Sequence, residues 1–260
     1  MQRPLWLLFL AACGGPAPAP TAATPGSSKA LAASAAASPI VDLGDDRSAD
    51  DQALDTGRKP NEMLAFLGIR RGMRVAEIAS GGGYTAEILA RAVGDQGEVY
   101  GQNPQSILDR FAESPWALRL GKPAMQNVRR VDRELEDPLP PNVRELDAVI
   151  DVLFYHDTVW LKTDRDKMNR AIFAALRSGG VYGIVDHAAK AGAGTSVAET
   201  LHRIEEKTVV DEVTRAGFVL SQHSDALRNP ADTKDWNASP GAAGPKRGTS
   251  DRFMLKFVKP

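Results

Sequence analysis

Cysteine is all but missing from this chain of 260 residues: there is one, Cys13, so no disulfide can form within it. A surplus of charge is missing too. The 32 Lys and Arg stand against 33 Asp and Glu, and the basic runs Arg70-Arg71 and Arg129-Arg130 are short. Neither feature gives an electrostatic reason for a polyanion partner. Histidine is scarce, at 4 residues, and no internal repeat is visible. The apolar run Leu5 to Ala12 is too short to cross a bilayer as a helix. What the chain does have is 43% hydrophobic content, enough for one substantial α/β core.

The N-terminus does not read as part of that core. Arg3 ahead of Leu5 to Ala12 has the form of a signal peptide. The run ends in Leu10-Ala11-Ala12-Cys13, which resembles a bacterial lipobox, and the resemblance implies cleavage before Cys13 and lipidation of its thiol. From Gly14 to about Pro39 the residues are mostly Ala, Pro, Ser, Gly and Thr, the composition of a disordered tether. The expected organisation is a leader over 1–12, a lipidated cysteine and linker over 13–40, and one domain over 41–260. An exported, membrane-anchored lipoprotein facing the periplasm or the cell surface follows from that reading.

The domain is organised around the stretch VAEIASGGGYTAEILA, residues 75–90. Val75 to Ile78 reads as a short buried strand, and Ser80 to Gly83 forces a sharp turn that favours positive φ. From Tyr84 the period is helical, with Ile88, Leu89, Ala92 and Val93 on one face. Strand, glycine turn and helix together offer backbone N–H groups at a helix start, a construction suited to a nucleotide-like cofactor. Gly81, Gly83 and Ala86 loosely fit the dinucleotide spacing. With Glu77 ahead of the glycines, the segment more closely resembles the first motif of class I S-adenosylmethionine (SAM) methyltransferases. The likeness extends over about Arg58 to Val258, in particular to exported bacterial members. It implies an α/β, Rossmann-like seven-stranded methyltransferase sheet with helices on both faces and an antiparallel C-terminal strand pair.

Expected elements follow in order. Val41 to Gly57 reads as acidic and irregular, and a helix starts at Arg58 with Pro60 in its first turn. Strands are expected at Gly97 to Gly101, Asn127 to Val131, Leu146 to Leu153 and along GGVYGIVDHAAK, with two terminal strands in GFVLSQHS and RFMLKFV. Helices are expected near Ser106 to Glu113, over Thr163 to Leu176 with a Thr163/Asp166 capping box, and over Glu199 to Ala216. The stretch from Pro230 to Asp251 reads as a long mobile insertion.

The resemblance implies SAM as cofactor, held by Glu77, Ser80, Gly81, Gly83 and Tyr84, with Asn103 on the ribose hydroxyls and Asp132 on the adenine amino group. Two positions depart from the family pattern: Asn103, where an acid is usual, and Ala79, often the first glycine. In an open α/β sheet, ligands lie beyond the carboxyl ends of the strands. The polar exits there are Tyr155-His156-Asp157 after the fourth strand and Asp186-His187 after the fifth. They form the candidate catalytic cluster, with His156 as general base, Asp157 or Asp186 orienting it, and Tyr155 and His187 on the acceptor. His202, Arg203 and Arg58 are candidate substrate contacts. No H-x-x-x-H or comparable spacing occurs, so no metal is expected.

The fourth-strand exit is not the Asn/Asp-Pro-Pro-Tyr type of nucleic-acid base methyltransferases, which argues against DNA as substrate; a small-molecule acceptor and no nucleic-acid partner are expected. No protein partner is implied. A non-catalytic binding lipoprotein with the same fold is the alternative, favoured by Asn103 and Ala79. A nicotinamide-dependent oxidoreductase is disfavoured by Glu77 and by the antiparallel terminal pair. If the lipobox is used, Cys13→Ser abolishes incorporation of labelled palmitate; persistent labelling would remove the anchor.

Overall fold

The computed structural model describes residues 41–260. The leader, Cys13 and the tether lie outside the described residues. Among those described, no helix is long and apolar enough to cross a membrane.

The chain opens with α1 (Ala49–Arg58) and α2 (Pro60–Leu67). The expectation of irregular chain up to Gly57 is therefore corrected. Ser48 caps α1 by accepting from the Asp51 N–H at 3.2 Å, Asp50 and Asp51 sit where the helix dipole favours acids, and left-handed Lys59 ends it. Pro60, preset for a first turn, then starts α2. Strand β1 (Arg74–Ile78) leads through the glycine turn into α3 (Tyr84–Val93) and β2 (Glu98–Asn103). Residues 105–120 are helical throughout: α4 (Gln105–Ile107), a π turn over Leu108–Ala112, and α5 (Glu113–Leu120). Next come β3 (Val128–Asp132), β4 (Leu146–Val152), α6 (Asp157–Trp160) and α7 (Arg165–Ala175). Strand β5 (Leu176–His187), α8 (Ala198–Leu201), α9 (Glu206–Arg215), β6 (Val219–Ser224) and β7 (Arg252–Val258) complete the domain.

These strands form one seven-stranded sheet in the order β3-β2-β1-β4-β5-β7-β6. The strands from β3 to β5 run parallel, and β7 pairs antiparallel with both β5 and β6. Strand order reverses between β1 and β4, which opens a crevice beyond their carboxyl ends. Successive strand residues face opposite sides, so two neighbours in β5 report both layers. A Cβ at Gly183 would meet the Leu67 side chain of α2, while the next ring, Tyr182, packs on Phe218, which in turn packs on Phe173 of α7. Helices therefore cover both faces.

Four local expectations are corrected. The cap of α7 is Asp164, whose carboxylate accepts from the Lys167 N–H at 2.9 Å, rather than Thr163, which is buried. Ser178 to Gly180 lies within β5 and is not a helix stop; Leu176 is already extended at the end of α7. The helix expected over Glu199 to Ala216 is two helices, broken where His202 adopts φ 49° and Ile204 bridges to Ala188. The stretch after β6 is packed, not loose. Buried Arg203 ion-pairs with buried Asp232 at 2.8 Å, and the Arg203 and Lys246 cations lie over the Trp236 ring.

Trp116 of α5 is fully buried and occupies the space that side chains at Gly83 and Gly101 would need; a Cβ at Gly101 would stand 2.6 Å from its ring. Gly101→Ala is therefore expected to lose about 1–3 kcal/mol of stability by overpacking, read by urea denaturation. An unchanged midpoint would contradict this packing.

Candidate functional site

The glycine turn is held from the neighbouring strand. Ala79 N–H donates to the Gln102 Oε1 at 2.9 Å, and Ser80 N–H donates to the Gln102 carbonyl at 2.8 Å. Ala79 has φ 50°, a left-handed conformation that glycine adopts without strain, which explains why glycine is at home there. Gly81 and Gly83 are also left-handed, at φ 55° and 84°, and Gly83 is the residue before α3. Asn103 is fully buried and spends both ends of its amide on Gly81: Oδ1 accepts from the Gly81 N–H at 2.8 Å and Nδ2 donates to the Gly81 carbonyl at 3.2 Å. In this structure the amide shapes the turn and has no exposed surface.

Glu77 is buried at the end of β1, and its Oε2 has no hydrogen-bond partner; nor does the buried Oγ of Ser80. Burial pushes the Glu77 carboxyl up to about 7, and the charges of Arg58 and Arg119 only partly offset it. Two unpartnered polar groups beside a glycine turn fit a ligand with cationic and hydroxyl groups. Tyr84 donates its hydroxyl to Asp55 of α1 at 2.6 Å, and the Arg58 guanidinium lies 4.5 Å from its ring centre. Arg58 is half-buried and lines, with Tyr84, Thr85, Val152, Leu153 and Arg252, a narrow cleft from the start of α3 to the exit of β4. Asp132 stands exposed at the end of β3 and pairs with Arg130 at 2.9 Å.

Beyond β4 and β5 the structure brings three histidines and two acids together. Asp186 is fully buried and accepts from the His156 N–H and the His187 N–H, each at 2.7 Å, and faces His156 Nδ1 at 2.7 Å. Asp157 Oδ1 lies 3.0 Å from His156 Nε2 and 3.0 Å from His202 Nδ1, and it accepts from Trp160 Nε1 at 2.7 Å. Burial alone would lower the His156 pKa, but Asp186 and Asp157 outweigh it and push the ring up to about 10. His187 goes the other way: burial, then the neighbouring His156 charge, hold it well below its ordinary value, with Nδ1 2.7 Å from the Ser250 hydroxyl.

Two expected contacts are displaced from this cluster. The Tyr155 ring is fully buried; its hydroxyl donates to Glu212 at 2.9 Å and accepts from Asn169 at 2.8 Å, so it ties α7 to α9 instead of facing an acceptor. Arg203 is spent on Asp232 and on the Ala188 carbonyl, and has no exposed surface for a substrate. Sequence reasoning passed over Ser250, and also Asp151, whose two carboxylate oxygens are buried without partners in β4. Burial, then Asp186, raises the Asp151 pKa well above the carboxylate range. The available signal was an acid inside the apolar run Leu146 to Leu153.

Residues 53–128 match the family model described as protein-L-isoaspartate(D-aspartate) O-methyltransferase. The chain is also 28% identical, over 172 residues, to the ubiquinone/menaquinone biosynthesis C-methyltransferase UbiE of Idiomarina loihiensis; the match covers 64% of this chain and 61% of that protein. Among solved structures, a SAM-dependent methyltransferase from Aquifex aeolicus superposes with a TM-score of 0.57 at 15% identity, covering 81% of this chain and 97% of the other. This is the Rossmann-like methyltransferase fold. Aeropyrum pernix fibrillarin, solved with natively bound SAM, shares it at a TM-score of 0.52 and 15% identity over 79% of this chain and 76% of its own. The partial family match and these relatives support the class I SAM-dependent methyltransferase family, with SAM as its cofactor.

A carboxyl whose pKa rises from 4.5 to about 7 on folding keeps a proton that the unfolded chain has released. Its contribution to stability is therefore full below about pH 4.5, declines as pH rises to about 7, and levels off above, a change of about 3 kcal/mol. Glu77→Gln should remove that decline and be the more stable protein at pH 8, measured by urea denaturation at pH 5 and 8. Parallel pH profiles for both proteins would show that Glu77 is not raised.

Proposed function

We propose that this chain is a SAM-dependent methyltransferase for a small-molecule acceptor, exported and anchored through lipidated Cys13. The observation that carries the reading is the unpartnered Glu77 Oε2 and Ser80 Oγ at a glycine turn, with a narrow cleft lined by Tyr84 and Thr85 at the start of α3 and by Leu153 and Val185 at the ends of β4 and β5. Glu77 would take a cationic part of the cofactor, Ser80 a hydroxyl or amino group, and the Gly81 to Tyr84 backbone would accept close approach. SAM, when bound, supplies a methyl group on a sulfonium for in-line displacement.

The chain's own work is positioning and proton handling. His156 holds Nδ1 against Asp186 at 2.7 Å; because its pKa is raised to about 10, only the fraction that has lost the Nε2 proton can take one from an acceptor hydroxyl or thiol, and turnover by this route rises with pH. His202 Nδ1 lies 3.3 Å from His156 Nε2, and its side chain, 24% exposed, forms the solvent side of the cluster. Asp186 positions the base and Asp157 steadies both imidazoles. Burial around His187 keeps that ring neutral, so it can meet an acceptor without adding a second positive charge.

One observation favours a second reading, a ligand-binding lipoprotein that keeps the fold without catalysis. Asn103 is consumed by Gly81, so no acid holds the cofactor ribose from that position.

Calorimetric titration of SAM and its demethylated product into the purified chain, with NADH as control, separates the two. The methyltransferase reading expects saturable SAM binding with Kd of ~10–100 μM or tighter, about −5.5 to −7 kcal/mol, weakened at least about tenfold by Glu77→Ala. A well-folded chain that takes up no SAM would move the assignment to the second reading.

A further inference from the structure

Three ligand atoms at the strand exits converge on one point. His156 Nε2, Asp157 Oδ1 and His202 Nδ1 form a triangle with sides of 3.0, 3.0 and 3.3 Å. Ligands about 2.0–2.1 Å from a common ion stand about 3.3 Å apart in a tetrahedron and about 3.0 Å apart on an octahedral face. The triangle has those dimensions. We propose that His156, Asp157 and His202 form a binding site for a divalent first-row transition metal ion, with zinc as the fitting case.

The surroundings are those of a metal site and not of an incidental polar contact. Asp186, fully buried, backs His156 on its far nitrogen at 2.7 Å, which fixes the ring with Nε2 toward the triangle, where an ion would take the place of the Nε2 proton. Trp160 Nε1 steadies the Asp157 oxygen at 2.7 Å. His202 is held in a left-handed conformation, φ 49°, that a β-carbon makes costly. It stays there because the next residues are pinned to the end of β5: Ile204 N–H donates to the His187 carbonyl and Ala189 N–H to the Ile204 carbonyl. That strained position is what delivers a ring from after α8 to a ring ahead of α6. Two imidazoles and a single carboxylate also select the chemistry, since hard cations such as magnesium prefer oxygen ligands.

The site is graded in depth. The side chain of His156 is 3% exposed, that of Asp157 18% and that of His202 24%, so the fourth ligand position opens on the His202 side. With the ion bound, His156 Nε2 would be a ligand and not the base, and an acceptor hydroxyl or thiol on the ion would instead lose its proton more readily than in water. That role rests on the proposed methyl transfer; the binding of the ion does not. No metal-ligand spacing of the usual kind marks the site because His156 and Asp157 stand at the start of α6 and His202 just after α8, segments far apart in the chain.

The test titrates Zn²⁺ and, separately, Co²⁺ into chelator-stripped, dialysed full-length chain, with SAM binding measured on the same sample. One equivalent of Zn²⁺ bound, visible d–d bands with Co²⁺, and at least about tenfold weaker binding in His202→Ala and in Asp186→Asn are expected. Folding of each variant is checked by circular dichroism, and a variant that does not fold leaves the wild-type Co²⁺ spectrum as the deciding result. Absence of saturable Zn²⁺ binding by folded wild type overturns the site, as does full affinity in folded His202→Ala. SAM binding without metal binding would sink this proposal and spare the methyltransferase reading; metal binding without SAM binding would do the reverse.

Discussion

Everything else in this domain depends on the backbone being able to turn sharply between Ile78 and Tyr84. Three left-handed residues within five positions, Ala79, Gly81 and Gly83, are an expensive local conformation, and only two of them are glycines. The turn is stable because its polar groups are met by β2: Gln102 serves Ala79 and Ser80, and Asn103 serves Gly81 from both ends of its amide. Trp116 closes the other side by filling the space above Gly83 and Gly101. Once the turn is fixed, α3 starts at Tyr84, and Tyr84 in turn anchors α1 through Asp55 and Arg58.

What the sequence made legible follows from where its signals are local. The strand–turn–helix at 75–93 could be read because hydrophobic periodicity changes across three consecutive glycines, and the parallel strands could be read as short apolar runs between turn residues. Seven strands with an antiparallel end were expected and are present. Helix α1 was missed because its pattern is charged: its buried side includes Asp51, satisfied by Arg119 at 2.8 Å, and a scan for apolar faces does not count an acid as core.

The site was partly legible for the same reason. Glu77 was suggested by the family resemblance, and His156, Asp157, Asp186, His187 and His202 by their positions at or near predicted strand and helix ends. Their partners were not readable. Asn103 sits where a ribose ligand is expected, and only the distance to Gly81 reveals that it braces the turn. Tyr155 and His156 are adjacent in sequence, yet the tyrosine points to Glu212 between α7 and α9 while the histidine meets Asp186. The packing of Arg203 on Asp232 and Trp236 likewise turned an apparent loop into a wall of the domain.

The glycine turn and the histidine cluster, the two halves of the proposed site, differ in chain distance. The cofactor half is assembled from neighbours in sequence, the turn after β1 meeting the end of β2. The histidine half needs the exits of β4 and β5, the break after α8, and Ser250 just ahead of β7. Non-local contacts carry a larger loop-closure cost and form later. The glycine turn needs nothing from β7, whereas His187 in the histidine cluster gains its Ser250 partner only when the segment ahead of β7 is in place. The two halves of the proposed site thus differ in the reach of the contacts that build them as well as in chemistry.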